Sequence, residues 1–260
     1  MSENVMKRRR ILLTGAKGFI GFHLYKFLTE LDYDVIPADN CTGLGQHNRD
    51  LNIDGANWDL LTCDLPDVDV VIHLAAKAGV RESKKFPLKY WENNVHVTER
   101  IFKRYSNKAK ILYASSSSAA DMMSPYAMTK AVCELIAPPM AIGMRFFTVY
   151  GPKSRPDMLI RMLSEGKQFK TIARHTRDFT HVYDVIAGIE CLLSNDVVGG
   201  VYDIGAGVPV KIIDVCKMFG QSPEEVDVVD ESQTTCANPS FMHALGWEAK
   251  IKIQDGVKML

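Results

Sequence analysis

The chain has 260 residues, with 31 Lys plus Arg set against 31 Asp plus Glu, so its formal net charge is zero. That balance excludes a protein built mainly to hold nucleic acid or an anionic membrane surface, because both demand a basic excess. A hydrophobic fraction of 47% with 24% charged residues excludes disorder, and no apolar run approaches the roughly 18 residues of a membrane span.

At the start, Lys7 to Arg10 precede only the short apolar run Ile11-Leu12-Leu13, which is too brief for the core of a secretory signal. Six scattered cysteines, with no C-x-x-C pair, fit a reducing, cytoplasmic setting. Near-continuous apolar runs at Ile11–Leu13, Val35–Ala38, Val68–Leu74, Ile111–Ala114 and Ile142–Phe147 read as strands buried on both faces. Helices are expected between them at 19–31, 87–106 and 125–137. In the middle helix Leu88, Trp91, Val95, Phe102 and Tyr105 are expected to share one apolar face, turned to the core or to a second subunit. Beyond Gly151, helices near 155–166, 181–193 and 211–219 alternate with strands near 169–173 and 200–204. The pattern predicts an α/β fold: a Rossmann-like doubly wound parallel sheet with a smaller C-terminal substrate-binding lobe. The expected division is 1–150 and 151–260, with elements of the two interleaved.

The turn Thr14-Gly15-Ala16-Lys17-Gly18-Phe19-Ile20-Gly21 joins the first strand to the first helix. Gly15 permits the turn, Gly18 lets the backbone approach a pyrophosphate, and Gly21 permits close helix–strand packing. The phosphates would lie against free N–H groups at the helix start. The next strand ends in Asp39-Asn40, where a carboxylate accepts hydrogen bonds from both adenosine ribose hydroxyls and repels a 2′-phosphate. NAD is therefore the expected cofactor. Asp64, after a third apolar run, is expected to reach the adenine. No P-loop, H-E-x-x-H or tight Cys/His cluster is present, so no metal site is expected. His73, inside Val70–Leu74, reads as a core histidine with a satisfied ring.

Ser124-Pro125 opens the helix carrying Tyr126 and Lys130, with Ser as cap and Pro at its first position. Four residues apart, the two side chains meet on one face. An ammonium beside a phenol favours phenolate, a base able to take a hydroxyl proton. The preceding strand ends in Ser115–Ser118, delivering hydroxyls to the sheet edge where ligands bind in open α/β folds.

These features together resemble the NAD-dependent epimerase/dehydratase family of extended short-chain dehydrogenases/reductases, over roughly residues 9–250. The likeness is strongest to UDP-glucuronate 4-epimerases. It is carried by Thr14–Gly21, His73–Ala76 with Ala78–Arg81, Asn93-Asn94, the serine run, Tyr126/Lys130, Arg145–Pro152 with Arg155–Met158, and Arg177–Val182. The resemblance implies cofactor contacts from Gly15, Gly18, Phe19, Ile20, Asp39, Asn40, Asp64, Leu65, Leu74, Ala75, Ala76, Asn94, Tyr126 and Lys130. It implies that Tyr126 takes the 4-hydroxyl proton while C4 gives hydride to NAD, and that hydride returns to the other face of the rotated keto sugar. Ser116, with Ser118 as the alternative, would hydrogen-bond the same oxygen. Ser118 and Arg81 would contact substrate, Arg155 would grip a sugar carboxylate in two-pronged fashion with help from Thr148, and Arg177 would meet the diphosphate.

The family's dehydratases and decarboxylases carry an acid directly after the strand-end hydroxyl, whereas Ser117, Ser118, Ala119 and Ala120 stand here; epimerisation fits better than elimination. The expected substrate pair is UDP-glucuronate and UDP-galacturonate. Neutral UDP-hexose epimerisation, a catalytically silent NAD-binding member and a net reductase are the alternatives. Three departures mark a compacted member. Only ten residues separate Ser116 from Tyr126, the Tyr/Lys helix stops before Pro138-Pro139, and no Lys or Arg lies from Met218 to Ala249. The resemblance implies a homodimer, against which the short Tyr/Lys helix stands.

Overall fold

Ile11, Leu12 and Leu13 have no exposed surface because they run through the middle of a parallel sheet. The computed structural model describes residues 8–42, 53, 57–229 and 231–260. Strands β1 (Arg10–Thr14), β2 (Asp34–Ala38), β3 (Val70–His73), β4 (Lys110–Ser116) and β5 (Ile142–Phe146) alternate with helices α1 (Phe19–Glu30), α2 (Val80–Lys85), α3 (Pro87–Tyr90), α4 (Val97–Tyr105) and α5 (Pro125–Leu135). Alternate residues of each strand serve opposite faces. Ile11 and Leu13 pack with Leu24 and Leu28 of α1, while Leu12 packs with Ile101, Phe102 and Tyr105 of α4.

The second half supplies β6 (Thr148–Tyr150), β7 (Thr171–Ala173), β8 (Thr176–His181), β9 (Val201–Ile204), β10 (Pro209–Lys211) and β11 (Glu224–Val226), with α6 (Leu159–Ser164), α7 (Val182–Ser194), α8 (Ile212–Met218), α9 (Ser240–Ala244) and α10 (Ile253–Gly256). The main sheet runs β2-β1-β3-β4-β5-β9, and a smaller sheet runs β10-β8-β6. The chain therefore crosses back after the division expected near 150. β9 pairs in parallel with β5, and Val185 and Ile189 of α7 join the core beneath α1. Fully buried Asp178 on β8 ties the later loops down. Its carboxylate accepts Ala206 N–H at 3.0 Å, Gly207 N–H at 2.8 Å and Ala237 N–H at 3.1 Å.

The continuous helix expected over 87–106 is instead three pieces. α3 leads into a π-helical turn, Trp91–His96, and then α4. A π turn accommodates one extra residue and re-phases the residues before it. Val95, Phe102 and Tyr105 are buried as expected, but Leu88 is 83% and Trp91 42% exposed; these two do not join the core face. The helix expected from 155 begins at Leu159, because Arg155–Met158 forms a turn around Pro156.

Candidate active site

In the order β2-β1-β3 the chain leaves β1 toward one side and returns on the other, so a crevice opens beyond the strand ends at that reversal. A cleft of about 580 Å³ lies there. Its walls are the glycine turn, the end of β2, the loop after β3, the end of β4, the start of α5 and the segment 146–158.

The glycine turn is glycine by necessity. Gly15 has φ +70°, and a Cβ added to it would sit 2.7 Å from Ala75 N; one added to Gly21 would lie 2.0 Å from Gly15 O. Gly18 caps α1 without a side-chain hydrogen bond, so the first N–H groups of that helix are left to an anion. Gly15, Gly18, Phe19 and Ile20 all line the cleft. Asp39 and Asn40 line it at the end of β2. The Asp39 carboxylate accepts Lys17 N–H at 2.9 Å and Cys41 N–H at 2.8 Å, which braces it while lone pairs remain for a ribose. An anion cradle that excludes side chains, beside a braced carboxylate, fits NAD.

Leu74, Ala75 and Ala76 form the wall after β3, and His73 anchors it from below. Thr14 Oγ1 accepts Ala75 N–H at 3.1 Å and lies 2.7 Å from His73 Nδ1. Thr98 Oγ1 donates to Asn94 O at 2.5 Å and therefore accepts from His73 Nε2 at 3.0 Å. The ring is neutral with its hydrogen on Nε2. Burial, assisted by the Lys130 charge, pushes its pKa down to about 3. An unfolded chain takes this proton near its ordinary value and the folded chain does not, so stability falls as pH drops from about 6.5 toward 3. We expect this group alone to remove about 2 kcal/mol between about pH 7.5 and 5. Urea midpoints across that range should fall more steeply for the wild type than for His73→Gln, and parallel slopes would refute the assignment.

Asn94 does not line the cleft. The π turn aims it inward, where its amide accepts Lys77 N–H at 2.8 Å and donates to Lys77 O and Thr129 Oγ1, both at 3.0 Å. It joins the loop after β3 to α5, and neighbouring Asn93 lines the cleft in its place. Asp64 is exposed, and neither it nor Leu65 reaches the walls. Trp58, Asp59 and Leu60 do, since the isolated bridge Asp39↔Asn57 brings that earlier stretch beside β2.

Tyr126 and Lys130 both line the cleft one turn apart on α5. Ser124 Oγ accepts Ala127 N–H at 3.1 Å, and this cap with Pro125 fixes where the helix begins. Lys130 is 5% exposed, and its ammonium donates to Ala114 O at 2.8 Å, which pins α5 to β4. One turn on, Glu134 accepts Ser115 Oγ at 2.5 Å and both Arg145 Nε at 2.8 Å and Nη2 at 2.6 Å. Ser115 is thereby committed to the helix. Ser115 and Ser116 both line the cleft, and Ser116 Oγ lies 2.9 Å from Ser118 Oγ. The short interval to Tyr126 holds a single 3-10 turn, Ser117–Ala120.

Sequence reasoning missed a second tyrosine. Tyr90 is fully buried, its ring edge-on to Tyr126 at 6.3 Å between centroids. Its single hydroxyl hydrogen lies between two acceptors, Ala78 O at 3.0 Å and Glu82 Oε2 at 3.2 Å. Burial first, then the Glu82 charge, raises its pKa well above the ordinary tyrosine range, so Tyr90 stays a phenol. Glu82 itself lines the cleft. No spacing signal marks either residue; only the fold sets Tyr90 against Tyr126 and Glu82 on the cleft wall.

Arg155 lines the same end of the cleft. Its Nε and Nη2 donate to the two carboxylate oxygens of Asp157 at 2.9 and 3.0 Å, so the two-pronged edge expected for a substrate is engaged internally. Arg81, Ser118, Thr148 and Arg177 lie outside the cleft walls. Arg177 donates to Thr176 O at 3.0 Å, Gln233 O at 3.2 Å and His175 Nδ1 at 2.9 Å.

A parallel Rossmann-type sheet with an anion-binding glycine turn and a Tyr/Lys helix at its edge defines an NAD-binding extended short-chain dehydrogenase/reductase. Residues 11–205 match the model of the NAD dependent epimerase/dehydratase family, and the chain belongs to that family. It is 31% identical to the uncharacterized protein MJ1055 of Methanocaldococcus jannaschii, with 97% of this chain and 95% of the relative covered. It is 28% identical to a UDP-glucuronate 4-epimerase of Thermodesulfobacterium geofontis, covering 95% of this chain and 93% of that one. Among solved structures it is similar to the UDP-glucuronic acid 4-epimerase of Bacillus cereus in complex with UDP-glucuronic acid and NAD, at 30% identity and TM-score 0.83, with 96% and 97% of the two chains covered. No helix among the described residues is long and apolar enough to cross a membrane.

Proposed function

We propose that this protein is a nucleotide-sugar 4-epimerase, an isomerase that interconverts UDP-glucuronate and UDP-galacturonate in the cytoplasm. The observation that carries this reading is that one cleft gathers the glycine turn, Asp39, the Tyr126/Lys130 pair and Arg155. Gly15, Gly18, Asp39 and Lys130 would hold NAD in this cleft, where it would supply reversible hydride acceptance at C4 of the sugar. Tyr126 removes the 4-hydroxyl proton and later gives it back. Ser116 hydrogen-bonds the same oxygen. Lys130 keeps two ammonium hydrogens beyond the one committed to Ala114 O, enough for the nicotinamide ribose. Arg155 meets the sugar carboxylate. Leu88, Trp91, Met128, Leu135 and Ile136 expose apolar surface on and beside α3 and α5, which supports a homodimer through this face.

Incubation with UDP-glucuronate should yield UDP-galacturonate without net NADH, and Arg155→Met should raise the KM for the uronate about tenfold or more. Equal or better turnover of UDP-glucose by the wild type would remove the uronate assignment. That second reading, a neutral UDP-hexose epimerase, is favoured by one feature: Arg155 is already matched by Asp157, with Glu82 on the same cleft. A silent NAD-binding role is disfavoured by the presence of both Tyr126 and Lys130.

A further inference from the structure

Asp157 is half exposed at 51% and does not line the cleft, yet it is bound to a residue that does. A guanidinium has five N–H donors arranged along two usable edges. Asp157 takes the edge made by Nε–H and one Nη2–H. The remaining Nη2 hydrogen faces Met158 Sδ at 3.7 Å, a weak acceptor that also lines the cleft. Among the described residues, Nη1 has no partner. Arg155, a residue of the cleft wall, is thus held in one plane by a carboxylate outside that wall and keeps its Nη1 end free of those bonds, as half of an ion pair.

A second carboxylate shares the neighbourhood. Glu82 lines the cleft and accepts from Tyr90, and both Glu82 and Arg155 act electrostatically on the Tyr90 hydroxyl. The guanidinium therefore has two carboxylates for neighbours, Asp157 in a salt bridge outside the wall and Glu82 across the Tyr90 hydroxyl. An incoming sugar carboxylate meets a cation whose charge is cancelled nearby, and a hydroxyl meets an oriented donor at little electrostatic cost.

We propose that Asp157 is a specificity-determining residue: it orients Arg155 and neutralises it, and so sets how strongly the enzyme prefers an acidic sugar over a neutral one. The proposal rests on the UDP-sugar reading above and deepens it. Asp157→Asn keeps an oxygen for the guanidinium hydrogens but removes the negative charge, which separates orientation from neutralisation.

The test uses NAD-loaded protein carrying Tyr126→Phe, so that binding is measured without turnover. Calorimetric titration with UDP-glucuronate and UDP-glucose gives the ratio of their Kd values. Adding Asp157→Asn should shift that ratio toward UDP-glucuronate by about fivefold. The shift should shrink in 0.5 M salt as charges are screened and vanish when Arg155→Met is also present. Asp157→Glu, which keeps the charge, should leave the ratio near that of the parent and controls for folding. A ratio unchanged or moved toward UDP-glucose by Asp157→Asn overturns the role of Asp157 while leaving the epimerase reading intact. If neither sugar nucleotide binds the parent protein, the proposed function falls and the role of Asp157 falls with it.

Discussion

Tyr126→Phe should lower kcat by about 10³-fold or more while the purified protein still carries NAD. The argument is local. Phenylalanine keeps the ring that packs edge-on against Tyr90 and leaves the cap of α5 and the Lys130 bond to Ala114 O untouched. Only the oxygen is lost, and with it the group proposed to exchange a proton with the sugar; positioned general acid–base groups contribute about 10²- to 10⁴-fold. Lys130 keeps its charge and its place. Steady-state kinetics, together with the nucleotide released on denaturation, separate the two quantities. A variant with turnover within tenfold of wild type would place the proton transfer elsewhere and dismantle the mechanism.

The largest structural effect is expected at Gly21. A methyl group there would lie 2.0 Å from Gly15 O and 2.8 Å from Gly15 C, and these are backbone atoms that cannot swing aside. Either α1 moves away from β1 or the turn opens, and both spoil the anion cradle. We expect Gly21→Ala to cost about 3 kcal/mol of stability and to weaken NAD binding by about tenfold or more. Gly246→Ala is the matched comparison. Gly246 has φ +85° but nothing within 4 Å of its added Cβ, so it should cost about 1 kcal/mol from backbone strain alone and leave NAD binding unchanged. Thermal melts with and without saturating NAD distinguish the two. Similar behaviour of both variants would mean that the contact between turn and helix carries no special weight.

The parts of the site visible in the sequence were those built from near neighbours. The glycine spacing, Asp39 at a strand end and the four-residue step from Tyr126 to Lys130 are local geometry, and helix and turn rules translate them directly. Arg155 was visible as a charged residue in a loop, but its pairing was not. Asp157 is only two residues away, and nothing in the spacing tells a salt bridge from a free cation. Tyr90 and Glu82 were hidden because their places, one against Tyr126 and the other on the cleft wall, depend on how α2 and α3 pack against α5. Asp59 and Asp64 have the same chemistry a few residues apart, so reaching the cleft depends on where a short bridge to β2 closes. The small strands β8 and β10 carry mixed polar residues (Thr-Arg-Asp-Phe-Thr-His in β8) and give no apolar signal, because one buried carboxylate organises that region more than a run of hydrophobic side chains does.

The widened turn at Trp91–His96 links two properties that look unrelated. Apolar spacing by itself would wind this stretch into an ordinary helix and fold Leu88 and Trp91 inward. In the wider winding, the amide of Asn94 instead grips Lys77 on one side and Thr129 on the other. The two apolar side chains left bare on the outside are thus the counterpart of an alignment made on the inside, where one amide ties the wall behind the cleft to the helix that bears the tyrosine.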